Sequence, residues 1–302
     1  MIHAIIDIGS NTVRMAIYQI ENGRIEMLMK RKHMVGLAAY LKNGIMQPAG
    51  IDRVTEVLQE YNAFLKSFHI TEITAFTTAA LRNAKNSKDA VAEIVRRTDI
   101  PVRVISGDEE AEFDFIGATH SLSDDAGLLI DIGGASTEIV LYKNHEIVKK
   151  TSLLVGSLGL HTKYVEDILP SREEVADMRR DIREILDLES EIDGVQGLEI
   201  CGVGGTIKGT LAIYNMLYDC DKHNKEMDAS RLGAIIDRFC RNDGISQEDT
   251  ILLMKTVPER LNTIIPGMVI ADELAQRFDS HRLIYSDSGV REGYIYDQII
   301  KK

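Results

Sequence analysis

Two stretches of this chain share one pattern of apolar and polar positions. Ile5 to Thr12 reads IIDIGSNT and Leu129 to Thr137 reads LIDIGGAST, each an apolar strand running into Asp, then Gly, then hydroxyl residues. The segments after them match as well: VRMAIYQI, ENGR and IEMLMKRK after the first, TEIVLYK, NHE and IVKKTSLLV after the second. Each set predicts strand, hairpin turn and strand. Two copies about a domain's length apart predict two similar domains made by duplication, with a repeat too long for a solenoid.

Between and after the copies, helical and strand periods alternate, the signature of an α/β layer architecture. Ile51, Val54, Leu58, Tyr61, Leu65 and Phe68 fall at helical spacing. Glu72 to Phe76 reads as a strand, and Ser87 or Asp89 opens another helix. Val102 to Ser106 is a short β run ending at Gly107, with acids in the first turn of the helix after it. Ser171 and Glu174 form a capping box that opens a helix to about Leu188. Leu198 to Val203 delivers Gly204, Gly205 and Thr206 to a helix start, and Leu283 to Ser286 delivers Asp287, Ser288 and Gly289 likewise. Four strands thus end in glycine loops. In open α/β sheets ligands bind at such carboxyl ends, so the loops are expected to converge on one cleft. The domain boundary is placed near Leu122, giving domains 1–122 and 123–302, with the last helix, about 290–302, packing back onto the first.

At 302 residues, with 44% hydrophobic and 27% charged positions, the chain suits two folded domains and has no low-complexity tract. A formal charge of -12 disfavours nucleic acid as a partner. Attraction for a polyanionic substrate must then come from backbone amides, placed arginines and a metal ion. Cys201, Cys220 and Cys240 lie far apart with no metal-binding spacing and read as reduced thiols. The N-terminal apolar stretch is too short for a signal peptide and no segment reaches membrane-span length, so the cytoplasm and no membrane partner are expected. A homodimer is left open.

Asp7 with Gly9, Ser10, Asn11 and Thr12 fits either a tight turn after a buried strand or a phosphate loop; the duplication favours the loop. Small residues there let N–H groups approach phosphate oxygens. Glu138 is informative because it interrupts TEIVLY, otherwise a buried strand. Asp108, Glu109, Glu110 and Glu112 are explained as well by a helix dipole as by chemistry. Arg82, after a β segment ending near Leu81, is either solvated or a phosphate contact. Gly204, Gly205 and Thr206 fit phosphate contact or helix start equally.

Taken in order, DIGSNT (Asp7 to Thr12), TAALRNAKN (Thr78 to Asn86), ISGDEEA (Ile105 to Ala111), DIGGASTE (Asp131 to Glu138), VGGT (Val203 to Thr206) and SGVREG (Ser288 to Gly293) resemble the exopolyphosphatase and guanosine pentaphosphate phosphatase (Ppx/GppA) family. That family lies within the actin, Hsp70 and sugar-kinase fold group. The resemblance implies two duplicated ribonuclease-H-like domains of actin-like ATPase fold with an interdomain cleft, in the α/β class. It implies Glu110 as catalytic base and Arg82 as a phosphate contact, and assigns phosphate binding to Gly9, Ser10, Asn11, Thr12, Gly133, Gly134, Ser136, Thr137, Gly204, Gly205 and Thr206. Asp7, Asp131 and Glu138 would hold Mg²⁺ or another divalent cation, which suits oxygen ligands. The implied substrates are inorganic polyphosphate or guanosine pentaphosphate. Three positions depart from the family pattern: Ala135 replaces a third loop glycine, Glu112 replaces an arginine, and Gly267 follows Pro266 where a further arginine is usual. The first two leave room for a non-catalytic phosphate or alarmone sensor.

Overall fold

The computed structural model describes residues 1–118, 125–189, 196–240 and 244–301. In chain order its elements begin with β1 (Ile2–Ile8), β2 (Thr12–Glu21), β3 (Arg24–Met34), β4 (Leu41–Lys42), β5 (Ile45–Met46), α1 (Pro48–Ser67), β6 (Ile73–Thr77), α2 (Ala79–Arg82), α3 (Ser87–Thr98), β7 (Val102–Val104) and α4 (Gly107–Ala118). Next come β8 (Ala126–Ile132), β9 (Thr137–Lys143), β10 (Glu146–Leu153), α5 (Ser157–Tyr164), α6 (Arg172–Leu188), β11 (Ile200–Val203) and α7 (Gly204–Leu217). The chain ends with β12 (Glu226–Asp228), α8 (Leu232–Phe239), α9 (Gln247–Thr256), α10 (Leu261–Arg277), β13 (Arg282–Tyr285) and α11 (Val290–Tyr294), then a π-helical stretch over Ile295–Ile300. Among the described residues no helix is long and apolar enough to cross a membrane.

Two compact units result. The first comprises Met1–Glu110 with Tyr294–Lys302, the second Ala111–Gly293. Leu122, near which the sequence reading places the boundary, lies outside the described residues. The first unit carries a five-stranded sheet in the order β3-β2-β1-β6-β7. The second repeats it as β10-β9-β8-β11-β13 and adds β12 outside β13. In both, an antiparallel hairpin pair is followed by strands parallel to the first. The type I′-like turns between the hairpin strands use Asn22 and Gly23 in one unit and Asn144 and His145 in the other, all at positive φ. Each third strand carries one bulge at an equivalent place, Leu28 in β3 and Val148 in β10. The duplication therefore extends to single residues.

In the first unit, alternate residues of the sheet, among them Ile6, Ile8, Val13, Met15 and Ile17, are buried with Val54, Leu58, Tyr61 and Ile94 of α1 and α3. The other face is met by the C-terminal stretch, where the Tyr294 ring stacks 5.3 Å from Phe76. In the second unit, α5 to α10 bury one face of the sheet. Ala111, Phe115 and Ala118 of α4 cover Leu129, Val140, Tyr142 and Val203 on the other. The capping box expected at α6 is present, Ser171 accepting from the Glu174 amide and Glu174 from the Ser171 amide. A staple ties α6 to α10: Arg179 lies 2.6 Å from Asp272, and Arg183 Nε lies 2.6 Å from Glu273.

This packing has two measurable consequences. A methyl group on Gly293 would collide with the backbone carbonyl of Phe113, which cannot move without shifting α4. Gly293→Ala should therefore cost about 3 kcal/mol or more, lowering Tm by roughly 10 °C, whereas an unchanged thermal melt would show that α4 yields easily. His3 is buried beside Thr74, and burial, partly opposed by Glu72, depresses its pKa below the ordinary histidine value. A depressed folded-state value means that stability is intact above the unfolded pKa and falls as pH drops toward the folded one. Tm measured from about pH 7 down to pH 5 should fall less steeply in His3→Asn than in the parent chain.

Candidate active site

Both DIG loops form one device. In the first unit the Gly9 amide donates to Thr12 O at 3.0 Å, in the second the Gly133 amide donates to Ser136 O at 2.9 Å. The register pairs Asp7 with Arg14 and Asp131 with Glu138 at the strand ends flanking each loop. Superposing the hairpins without a gap thus equates Ser10 with Gly134, Asn11 with Ala135 and Thr12 with Ser136. The carbonyl of Ser10 accepts from the Ala38 amide, and that of Gly134 from the Leu158 and Gly159 amides at the start of α5. Within a planar trans peptide the following N–H points the opposite way. The amides of Asn11 and Ala135 therefore face away from these contacts. Ala135 does not have positive φ, so its methyl group fits the loop without backbone strain.

In the first unit Ile8 ends β1 beside β6, and its carbonyl accepts from the Thr77 hydroxyl at 3.0 Å and the Thr78 amide at 3.3 Å. β6 ends at Thr77, one residue beyond the Glu72 to Phe76 strand expected from the sequence, and Arg82 closes the helical turn α2. From there Arg82 Nη1 reaches Glu110 Oε2 at 2.6 Å and the Ile105 carbonyl at 3.4 Å. Glu110, in the first turn of α4 after β7, is only 7% exposed. The neighbouring acids have other uses. Glu109 and Ser106 cap each other reciprocally, and Arg103 pairs with Glu109. Burial works against the charged form of Glu109, but the Ser106 amide and Arg103 outweigh it and hold its carboxyl below the ordinary range. Glu112 lies 3.0 Å from Lys150, so its charge is locally balanced. Asp7 is buried, with Arg14 Nη1 at 3.8 Å, and Arg14 Nε donates to Thr12 Oγ1 at 3.0 Å.

In the second unit the loops after β8, β11 and β13 lie at the carboxyl ends of adjacent parallel strands. Glu138 is 1% exposed, and its Oε1 accepts from Ser136 Oγ at 2.7 Å and from Ser152 Oγ at 2.8 Å. Asp131 stands directly across from it on β8. Gly204, at φ 80°, opens α7 against Asp131, where any side chain would strike the Asp131 carboxylate. The Arg260 guanidinium packs against Gly205 just before α10, leaving no room for a Cβ there. Gly267 is pressed on Thr206, so a side chain at that position, arginine included, has no space. Arg260 is a basic group beside the Gly204–Thr206 loop that the sequence reading did not single out. Two predicted phosphate contacts are engaged with the backbone: Thr137 Oγ1 donates to Val155 O at 2.7 Å and Thr206 Oγ1 to Ile132 O at 2.8 Å.

Sequence reasoning passed over Arg14 and Arg260. Arg14 carried a signal, since a charge in the apolar run TVRMAIYQ is the same irregularity that singles out Glu138. Arg260 carried none, because the packing of α10 on α7 decides its place. Among the described residues no three His, Cys, Asp or Glu side chains converge as a ready-made metal cage. The pair Asp131 and Glu138 nevertheless fits Mg²⁺, which takes one or two carboxylates and completes its shell with water and substrate phosphate. Like charges directly opposite on neighbouring strands are otherwise unfavourable.

Known proteins resemble this chain over nearly its whole length. A putative exopolyphosphatase of Haemophilus influenzae is 28% identical over 296 residues, covering 97% of this chain and 90% of that protein. The crystal structure of the Aquifex aeolicus member of the Ppx/GppA family matches with a TM-score of 0.77 at 26% identity, over 100% of this chain and 98% of that one. An exopolyphosphatase structure from Cytophaga hutchinsonii shares the fold with a TM-score of 0.86 at 22% identity, over 100% and 98% of the two chains. The family model for the Ppx/GppA phosphatases matches residues 16–302, and the chain, a hydrolase with two domains of actin-like ATPase fold, belongs to that family.

Proposed function

We propose that this chain releases the terminal phosphate of inorganic polyphosphate with water as the nucleophile and Glu110 as the general base. The observation that carries the reading is the pair of half-buried Arg82 and buried Glu110 at the carboxyl ends of β6 and β7. Holding one carboxylate oxygen on Arg82 fixes the other in place. A guanidinium offers planar, permanently charged donors that suit a phosphate oxygen. The Asn11 amide in the first unit and the Ala135 amide in the second serve as further phosphate donors, each within its own loop.

In phosphoryl transfer the transition state is loose, and the protein's work is positioning and charge neutralisation. A divalent cation on Asp131 and Glu138 supplies part of that neutralisation. Ser136 and Ser152 orient Glu138 for it, while Asp7, with Arg14 beside it, is the less suitable ligand. The two features that suggested a silent sensor lose their weight, since Ala135 is unstrained and Glu112 is matched by Lys150. Guanosine pentaphosphate is the alternative substrate; the residues named act on phosphates alone and do not select a base.

Phosphate release from polyphosphate and from guanosine pentaphosphate with Mg²⁺ tests the proposal. Glu110→Gln should lower kcat by about 10²–10⁴-fold, and equal rates in the two proteins, or no release by the parent, would overturn it. Asp131→Asn and Glu138→Gln should each raise the Mg²⁺ concentration for half-maximal rate by about tenfold or more; an unshifted Mg²⁺ titration would remove the cation from these residues.

A further inference from the structure

Three successive carbonyls of the second loop, those of Ile132, Gly133 and Gly134, are each held by a donor from α5 or α7. Thr206 Oγ1 donates to Ile132 O at 2.8 Å, and the Leu158 and Gly159 amides donate to Gly134 O at 2.9 and 2.8 Å. Gly133 O takes both of its bonds from one residue, the Ser157 amide at 2.9 Å and the Ser157 hydroxyl at 3.0 Å. A carbonyl oxygen has two lone pairs, and Ser157 occupies both. Ser157 is 2% exposed, so water does not compete for this place. Because the N–H that follows a carbonyl in a planar trans peptide points the opposite way, the grip on Gly133 O turns the Gly134 amide away from α5. The grip on Gly134 O does the same for the Ala135 amide. A Cβ on Gly156 would land on the Gly134–Ala135 peptide almost equally close to its carbon, oxygen and nitrogen, hence over its flat face. That peptide is thus held both by its oxygen and from one side.

The duplicated frame separates the hydroxyl from the rest of this grip. Val35-Gly36-Leu37-Ala38 after β3 matches Val155-Gly156-Ser157-Leu158 after β10. The Ala38 amide meets Ser10 O as the Leu158 amide meets Gly134 O. Ser157 therefore has Leu37 as its counterpart, a fully buried residue whose side chain has no donor. A loop of this shape closes without a hydroxyl at that position, and the Ser157 amide alone would satisfy Gly133 O. The additional donor occurs in the loop flanked by Asp131 and Glu138, where the direction of an amide decides whether an anion can sit beside a bound cation.

We infer that Ser157 is a positioning residue that fixes the Gly134 N–H, so that the second loop offers two adjacent amide donors, Gly134 and Ala135, to one phosphate group. Ser157 itself does not touch the phosphate, since its hydroxyl is engaged with Gly133 O. The inference rests on the phosphate-binding reading of this loop given above and adds the residue that orients it.

Ser157→Ala and Ser157→Cys test it, the second keeping a side chain of similar shape that is only a weak donor. In protein with isotopically labelled glycine amides, the Gly134 resonance should move as inorganic phosphate is titrated into the parent chain. The phosphate concentration at half-shift should rise about tenfold in both variants. kcat/KM for polyphosphate should fall by a similar factor, while the Mg²⁺ concentration for half-maximal rate stays at the parent value. Thr162→Ala, which removes a hydroxyl bond to Leu158 O in the same helix, should leave the phosphate titration unchanged. A parent-like titration in Ser157→Ala would overturn the positioning role. So would a parent-like titration in Ser157→Cys alone, which would make the residue a packing group, or an equal shift in the Mg²⁺ dependence, which would mean that the whole loop had loosened. A Gly134 resonance unmoved by phosphate in the parent chain would overturn the donor assignment. A parent chain that releases no phosphate from polyphosphate would overturn the proposed activity and leave the amide titration to decide the role of Ser157.

Discussion

Two carboxylates directly opposite each other on neighbouring strands repel, and in the second unit Asp131 and Glu138 are held in that arrangement by the β8–β9 register. Much of the local structure accommodates it. Ser136 and Ser152 both donate to the same oxygen of Glu138, which is nearly without solvent contact. A buried carboxylate is tolerable only with such donors or with a countercharge. Gly204 leaves the space beside Asp131 clear, and Arg260 brings a positive group to the neighbouring Gly205. The first unit resolves the equivalent position differently, because an arginine faces Asp7 there. One frame has been given opposite signs, which suits an enzyme that must manage both an anionic substrate and the cation that accompanies it.

The frame itself was legible in the sequence because its signals are local. Strand period, a hairpin turn led by Asn and the glycine loop recur in order, and the structure places them in two sheets of matching strand order. The capping box at Ser171 and Glu174 was readable for the same reason. The four acids around Glu110 were not separable by residue type. Their separation depends on Ser106, Arg82 and Lys150, two of which are distant in sequence. Arg260 was invisible because its position follows from how α10 lies on α7. The division between the units falls within α4, between Glu110 and Ala111, where a continuous helix has no proline to mark it.

The departures from the family pattern have physical accounts that bear on activity. Ala135 occupies a loop position at negative φ, so a third glycine is not needed for the turn. Gly267 is required by the close approach of α10 to Thr206, which excludes an arginine at that position. Glu112 would repel a phosphate chain if it stood alone, but Lys150 lies beside it on the face covered by α4.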